Sequence, residues 1–161
     1  MEERALGDVA AELWQHAAEE GVHCPCCRQF AKVYRRALTG SMAHAAALLS
    51  RYFHQDKAEP WIHVPNYLSS LHQGPMVRGG DWAKLRYWGI IEPQPGTRED
   101  GSGRTGYYRV TEFGHRFVKN EVTVSRRVIL YNDTPLGFDG RQVTCRECLG
   151  TKFNFTGVMS A

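Results

Sequence analysis

The segment Asp81–Pro93, "DWAKLRYWGIIEP", constrains this chain more than any other stretch. A run with helical spacing, Trp82 to Trp88, meets a glycine and passes without a linker into two isoleucines. Trp82 and Leu85 are three apart and face a core, while Lys84 and Arg86 lie off that line. Gly89 stops the helix by accepting a left-handed backbone, and Ile90 and Ile91 drop into a sheet. Every other assignment must accommodate a short helix handed directly to a strand.

The neighbouring segments are short and change period often. In the acidic leader, Leu6, Val9, Ala10, Leu13, Trp14 and Ala17 form a helical stripe that Gly21 closes as a C-terminal cap. "VHCPCCRQFAKVYRRALTG" then predicts a cysteine-bearing knuckle and a basic strand, with Phe30, Val33 and Tyr34 buried and Arg28, Lys32, Arg35 and Arg36 exposed. Ser41 is the expected N-cap of a helix that carries Met42, Ala45, Ala46, Leu49 and Phe53 on one face. "WIHVPNYLSSL" reads as a strand-like approach and a short helix, with Pro65 in its first turn and Tyr67, Leu68 and Leu71 inward. The glycines of "HQGPMVRGG" turn the chain, and Asp81 is the expected cap of the next helix. After "IIEP" come a long polar loop, a returning strand "YYRV", and a helix capped by Thr111. The tail predicts a strand "RRVILYN", a turn rich in Pro, Gly and Asp, and a last segment "QVTCRECLGTKFNF".

In order, residues 41–119 read helix, short helix, turn, short helix, strand, long basic loop, strand, helix. This order resembles the winged helix-turn-helix fold, and in detail the bacterial regulators of the MarR and related groups. The matching residues are Leu85, Gly89-Ile90-Ile91, the hairpin loop 94–105, Val110-Thr111 and Gly114, and the likeness covers about half of the chain. It implies an α+β fold: a winged helix-turn-helix core (41–120) preceded by an amphipathic helix (1–22) and a cysteine-bearing knuckle with a basic strand (23–40). A C-terminal hairpin with a second cysteine pair (121–161) follows.

The resemblance further implies sequence-specific binding of double-stranded DNA and regulation of transcription. Trp82–Trp88 would be the recognition helix and residues 94–105 the wing. Lys84, Arg86 and Tyr87 would face the major groove, and Arg98, Arg104 and Arg109 would approach phosphates or the minor groove. Arg78, in the linker before the helix, is within reach of the DNA backbone. The turn at 72–80 is longer and richer in glycine than is usual for the motif. A compact winged helix with such individual ends resembles the short regulators of bacteriophages and mobile elements. If the protein binds as a homodimer, the Leu6–Leu13 stripe is the natural contact and the operator is palindromic. The alternative is a winged helix that has lost DNA and grips a phage or host protein through the same surface.

Cys24 and Cys27 form a C-x-x-C, and Cys145 and Cys148 form a second. Two such pairs suit a tetrahedral structural zinc site, because the spacer lets both sulfurs reach a metal from one tight turn. The gap between the pairs is far outside ordinary zinc-finger spacing. His23 or Cys26 would replace a missing ligand. For the second pair a competing reading exists: Thr144 and Glu147 form a capping box, which makes Cys145 and Cys148 small buried residues of a short helix.

"GSGRTG", Gly101–Gly106, matches the dinucleotide fingerprint, but a strand-like run follows where a helix N-terminus is needed, so no nucleotide cofactor is expected. The chain contains no G-x-S-x-G and no H-E-x-x-H, and its histidines are scattered, so catalysis is not expected. Residues 1–20 carry six acids against one base, so the net charge of +3 conceals a more basic body suited to a polyanion. The absence of a long apolar run and of a signal-like N-terminus predicts a cytoplasmic protein with reduced thiols and no membrane partner.

Overall fold

The computed structural model describes residues 6–71, 79–96 and 106–150. It is a mixed α+β structure, and its contacts divide the chain into two units. One takes the residues up to 37 together with 127–140; the other takes 38–126 and the residues from 141 onward.

In the first unit, α1 (Leu6–Ala18) precedes a small antiparallel pair, β1 (Val22–His23) and β2 (Phe30–Ala31). Gly21 at φ 88° ends the helix, its amide bonded to the His16 carbonyl. On α1, Ala17 is buried and Trp14 meets the Tyr131 ring, with centroids 4.8 Å apart. A three-stranded sheet takes β3 (Val33–Ala37), β7 (Val124–Tyr131) and β8 (Thr134–Val143) in the order β3-β7-β8.

Two expectations are corrected in this unit. Phe30 and Tyr34 are exposed, and Lys32 and Arg36 lie near the Tyr34 ring. The basic segment therefore uses Tyr34 as an outer stacking platform for its cations. The expected Pro/Gly/Asp-rich turn is only Asn132-Asp133, both at positive φ (47° and 57°), the geometry of a tight hairpin turn. Pro135 and Gly137 belong to β8, an edge strand, where a missing amide does not interrupt a central ladder.

The second unit is built around α2 (Gly40–Phe53), which is buried on all sides from Met42 to Ser50. Its alanines let neighbours approach closely, and it packs against α4, α5 and the helix before β5. Thr39, not Ser41, caps it: Thr39 keeps an extended backbone and its side chain accepts the Met42 amide. Then follow β4 (Ile62–His63) and α3 (Val64–Ser70), with His63 as its cap and Pro65 in its first turn.

The segment Gly80–Trp88 is a 3-10 helix, here η1, rather than an α-helix. Three residues per turn align Trp82, Leu85 and Trp88 in one row, and all three are buried. Gly79 occupies the cap position without a side-chain bond, and Asp81 lies within the first turn instead of capping it. Gly89 is left-handed at φ 70° and closes η1, as expected.

Next come β5 (Ile91–Pro93), β6 (Tyr107–Val110) and α4 (Glu112–Val118). Thr111 caps α4 by accepting the Gly114 amide. β4, β6 and β5 form an antiparallel sheet in the order β4-β6-β5, with Ile91 opposite Val110 and Ile62 opposite Tyr108. Strand β6 begins one residue after Gly106, so no helix follows the glycine-rich motif. The last described element is α5 (Cys145–Leu149), opened by the Thr144–Glu147 capping box. Among the described residues, no helix is long and apolar enough to cross a membrane.

Candidate functional site

η1 is held from behind by its aromatic row. Trp82 packs edge-on against Tyr108 with ring centroids 5.1 Å apart, and the Trp88 indole N–H donates to the Ser125 carbonyl at 2.8 Å. Leu85 lies wholly inside. The remaining sides of the helix are partly open: Ala83, Lys84 and Arg86 are half-buried, and Asp81 and Gly89 are exposed.

The candidate DNA-contacting residues differ in how they are held. Lys84 pairs with Asp81 one turn earlier. Arg86 lies over the Tyr87 ring, 4.6 Å from its centroid, and donates to the Tyr87 hydroxyl at 3.0 Å and to the Ala83 carbonyl at 3.4 Å. Tyr87 itself is buried, so it supports Arg86 instead of facing outward. Arg109 on β6 pairs with Glu92 on β5 and lies over the Trp61 ring, 4.5 Å from its centroid. Arg78, Arg98 and Arg104 lie outside the described residues.

Trp61 is a participant that sequence reasoning missed. One step beyond the Ile62–Tyr108 pair, the antiparallel register sets Trp61 opposite Arg109. Only a known strand pairing reveals that neighbour. The ion pairs of Lys84 and Arg109 are solvent-accessible, and such pairs are worth at most about 1 kcal/mol. A phosphate can therefore compete for either cation.

The structure also joins histidines that looked scattered. Ser50 Oγ and His115 Nδ1 are 2.8 Å apart, His54 Nδ1 donates to the Ser50 carbonyl at 2.7 Å, and the two imidazoles meet edge to face at 4.6 Å. Burial holds the His115 pKa below its usual value, and the adjacent His54 pushes it the same way. Ser50 is almost wholly buried, so the cluster ties α2 to α4 and offers no nucleophile to a substrate.

The two cysteine pairs have different surroundings. Cys24–Gln29 is the loop of the β1–β2 hairpin, closed by Cys24 N–H to the Gln29 carbonyl and by Arg28 N–H to the Cys24 carbonyl, both at 2.8 Å. Arg28, near the end of the loop, is left-handed at φ 61°. The backbone amides of Cys27 and Cys26 bond the Cys24 sulfur and hold the thiol below its usual pKa. Cys26 and Cys27 are exposed. Cys24 and Cys27 line one cleft together, whereas His23 turns into another, its Nδ1 3.1 Å from the Arg28 carbonyl.

Cys145 and Cys148 lie buried in the second unit at the start of α5, with Cys145 Sγ 3.9 Å from the Ala43 carbonyl. Burial pushes the Cys145 thiol up to about 12 and raises Cys148 as well. Zinc binds cysteine as the thiolate, and the two pairs differ in how far solvent reaches them. Among the described residues, no three His, Cys, Asp or Glu side chains are gathered to hold a metal ion. No protein-family model matches this chain, and no curated protein or solved structure matches it either.

Proposed function

We propose that the second unit is a winged helix-turn-helix that binds double-stranded DNA and serves in transcription regulation. The observation that carries the proposal is the sheet order β4-β6-β5, entered through α3 and η1 and backed by the buried α2. In a winged helix the first strand pairs with the last, the hairpin strands form the wing, and the helix before the hairpin is presented to the groove. In this reading η1 is the recognition helix, anchored by the row of Trp82, Leu85 and Trp88 and partly open at Lys84 and Arg86. Lys84 and Arg86 supply the helix contacts, and Arg109 supplies one at the base of the hairpin. Arg78, Arg98 and Arg104 complete the basic set proposed from the sequence.

A second reading has its own support. Lys84, Arg86 and Arg109 are each engaged by a neighbour, and Asp81 places a negative charge in the first turn of η1. A surface so balanced suits a protein partner that reads shape rather than charge.

Salt dependence separates the two readings. DNA binding requires affinity for random duplex that falls steeply between low and moderate salt, with a slope near −0.9 per phosphate contact. Lys84→Ala and Arg104→Ala should each weaken binding on all sequences and flatten the slope by about one contact. Affinity for duplex that is absent, or indifferent to salt and to these changes, would leave the protein-binding reading standing.

A further inference from the structure

We propose that the Cys24–Cys27 knuckle is half of a zinc site, completed by the same two cysteines of a second copy of this chain. Such a site does not depend on whether the second unit binds DNA.

The knuckle has the form of a metal half-site. Its spacer sets the two cysteines along one hairpin loop, which is closed by Cys24 N–H to the Gln29 carbonyl and Arg28 N–H to the Cys24 carbonyl, and both cysteines line the same cleft. Zinc requires four donors at about 2.0–2.3 Å in a tetrahedron.

Among the described residues, no side chain joins the knuckle to supply the other two. The cleft that Cys24 and Cys27 line is continued by Lys32, Tyr34, Tyr131 and Asn132, and its wall includes no His, Asp or Glu. His23, adjacent in sequence, points into the separate cleft beside α1. Cys145 and Cys148 are buried in the α5 core, where the capping box holds them. A second knuckle supplies two thiolates of the same geometry, and a two-fold axis through the metal makes the contact self-complementary.

The rim of the cleft suits that occupant. Phe30 is 52% exposed and Tyr34, with Lys32 and Arg36 beside its ring, 42%, a rim that a second copy would cover. On binding, the four thiols release their protons to solvent and the tetrathiolate site carries a net charge of −2. Lys32 in each cleft and the adjacent Arg28 offset that charge.

The test uses the full chain, purified with reductant and zinc. Zinc content and mass in solution are measured before and after a chelator. The expected result is one zinc per two chains in a dimer that the chelator converts to monomer. Cobalt substitution should give the absorption of a four-thiolate site. Cys27→Ser should lose both metal and dimer, while Cys26→Ser and Cys145→Ala keep both. Circular dichroism checks that each variant is folded, and chelation of the unaltered chain decides the same question without any variant. One zinc per chain, a zinc-bearing monomer, a dimer indifferent to chelation, or no zinc at all would each overturn the proposal. Loss of zinc on Cys145→Ala would overturn it too, and would assign the site to all four cysteines of one chain instead.

Discussion

Replacing Gly114 by alanine tests the packing of the second unit most directly. A Cβ at this position would lie 2.1 Å from the Ile90 carbonyl oxygen and 2.9 Å from Val110 Cγ1. Ordinary contact begins at 3.4 Å, so α4 would have to withdraw by more than an ångström. The nearest obstacle is backbone, and it is pinned. The Ile90 amide donates to the Leu85 carbonyl at 3.3 Å, and its own carbonyl accepts the Thr111 amide at 3.0 Å. Withdrawal breaks the second bond and disturbs the end of η1. Overpacking costs about 1–3 kcal/mol and the lost bond about 1 kcal/mol, against about 1 kcal/mol gained because alanine favours a helix. The net is a destabilisation of about 2 kcal/mol, or roughly 4–8 °C in Tm for a chain of this size.

Urea unfolding followed by tryptophan fluorescence reads the effect, since Trp82 and Trp88 report on the same contact. Two other glycines of this unit serve as controls. Gly80→Ala meets open space at an ordinary φ and should leave the midpoint unchanged or slightly raised. Gly89→Ala also meets open space but at φ 70°, so only backbone strain of about 1 kcal/mol is expected. If Gly114→Ala proves as stable as the Gly80 variant, the close seating of α4 on Ile90 is refuted.

Stability should fall with acid in a defined window. The His115 pKa in the folded protein lies below the 6.5 of the unfolded chain, so the unfolded state takes up the proton first. The stabilisation is full above that value and is lost as pH falls through the folded one; His44 acts in the same sense, chiefly through burial. The urea midpoint should drop between about pH 7.5 and about pH 5.5, and His115→Gln should flatten the drop; a flat wild-type profile would contradict it. Thiol chemistry separates the cysteine pairs: in metal-free native protein, Cys26 and Cys27 should alkylate readily, and Cys145 and Cys148 only on unfolding. Peptide mapping that finds Cys145 modified in the folded chain would contradict its burial. Thr144→Ala should cost about 1 kcal/mol by removing the capping box, read in the same urea assay; an unchanged midpoint would show that α5 does not need its cap.

What the sequence determined by itself is the set of features whose partners lie within a few residues. Thr111 and the Thr144–Glu147 box cap their helices, Pro65 opens α3, and Gly21 and Gly89 end helices at positive φ, because each rests on local backbone bonds. The order of elements from α2 to α4 was legible for the same reason.

Tertiary structure decided the rest, since the relevant neighbour stands far along the chain. η1 winds as a 3-10 helix because a core surface receives Trp82, Leu85 and Trp88 in one row, and no local preference demands that pitch. Tyr87 turned inward and Arg86 settled on its ring, while Arg109 found Trp61 only through the β4–β6 register. Phe30 and Tyr34 stayed outside because alternation along a strand specifies two faces but not which one is covered. The same limit governs the cysteines: spacing gives two like C-x-x-C pairs, and only the fold shows that Cys26 and Cys27 are exposed while Cys145 and Cys148 are buried.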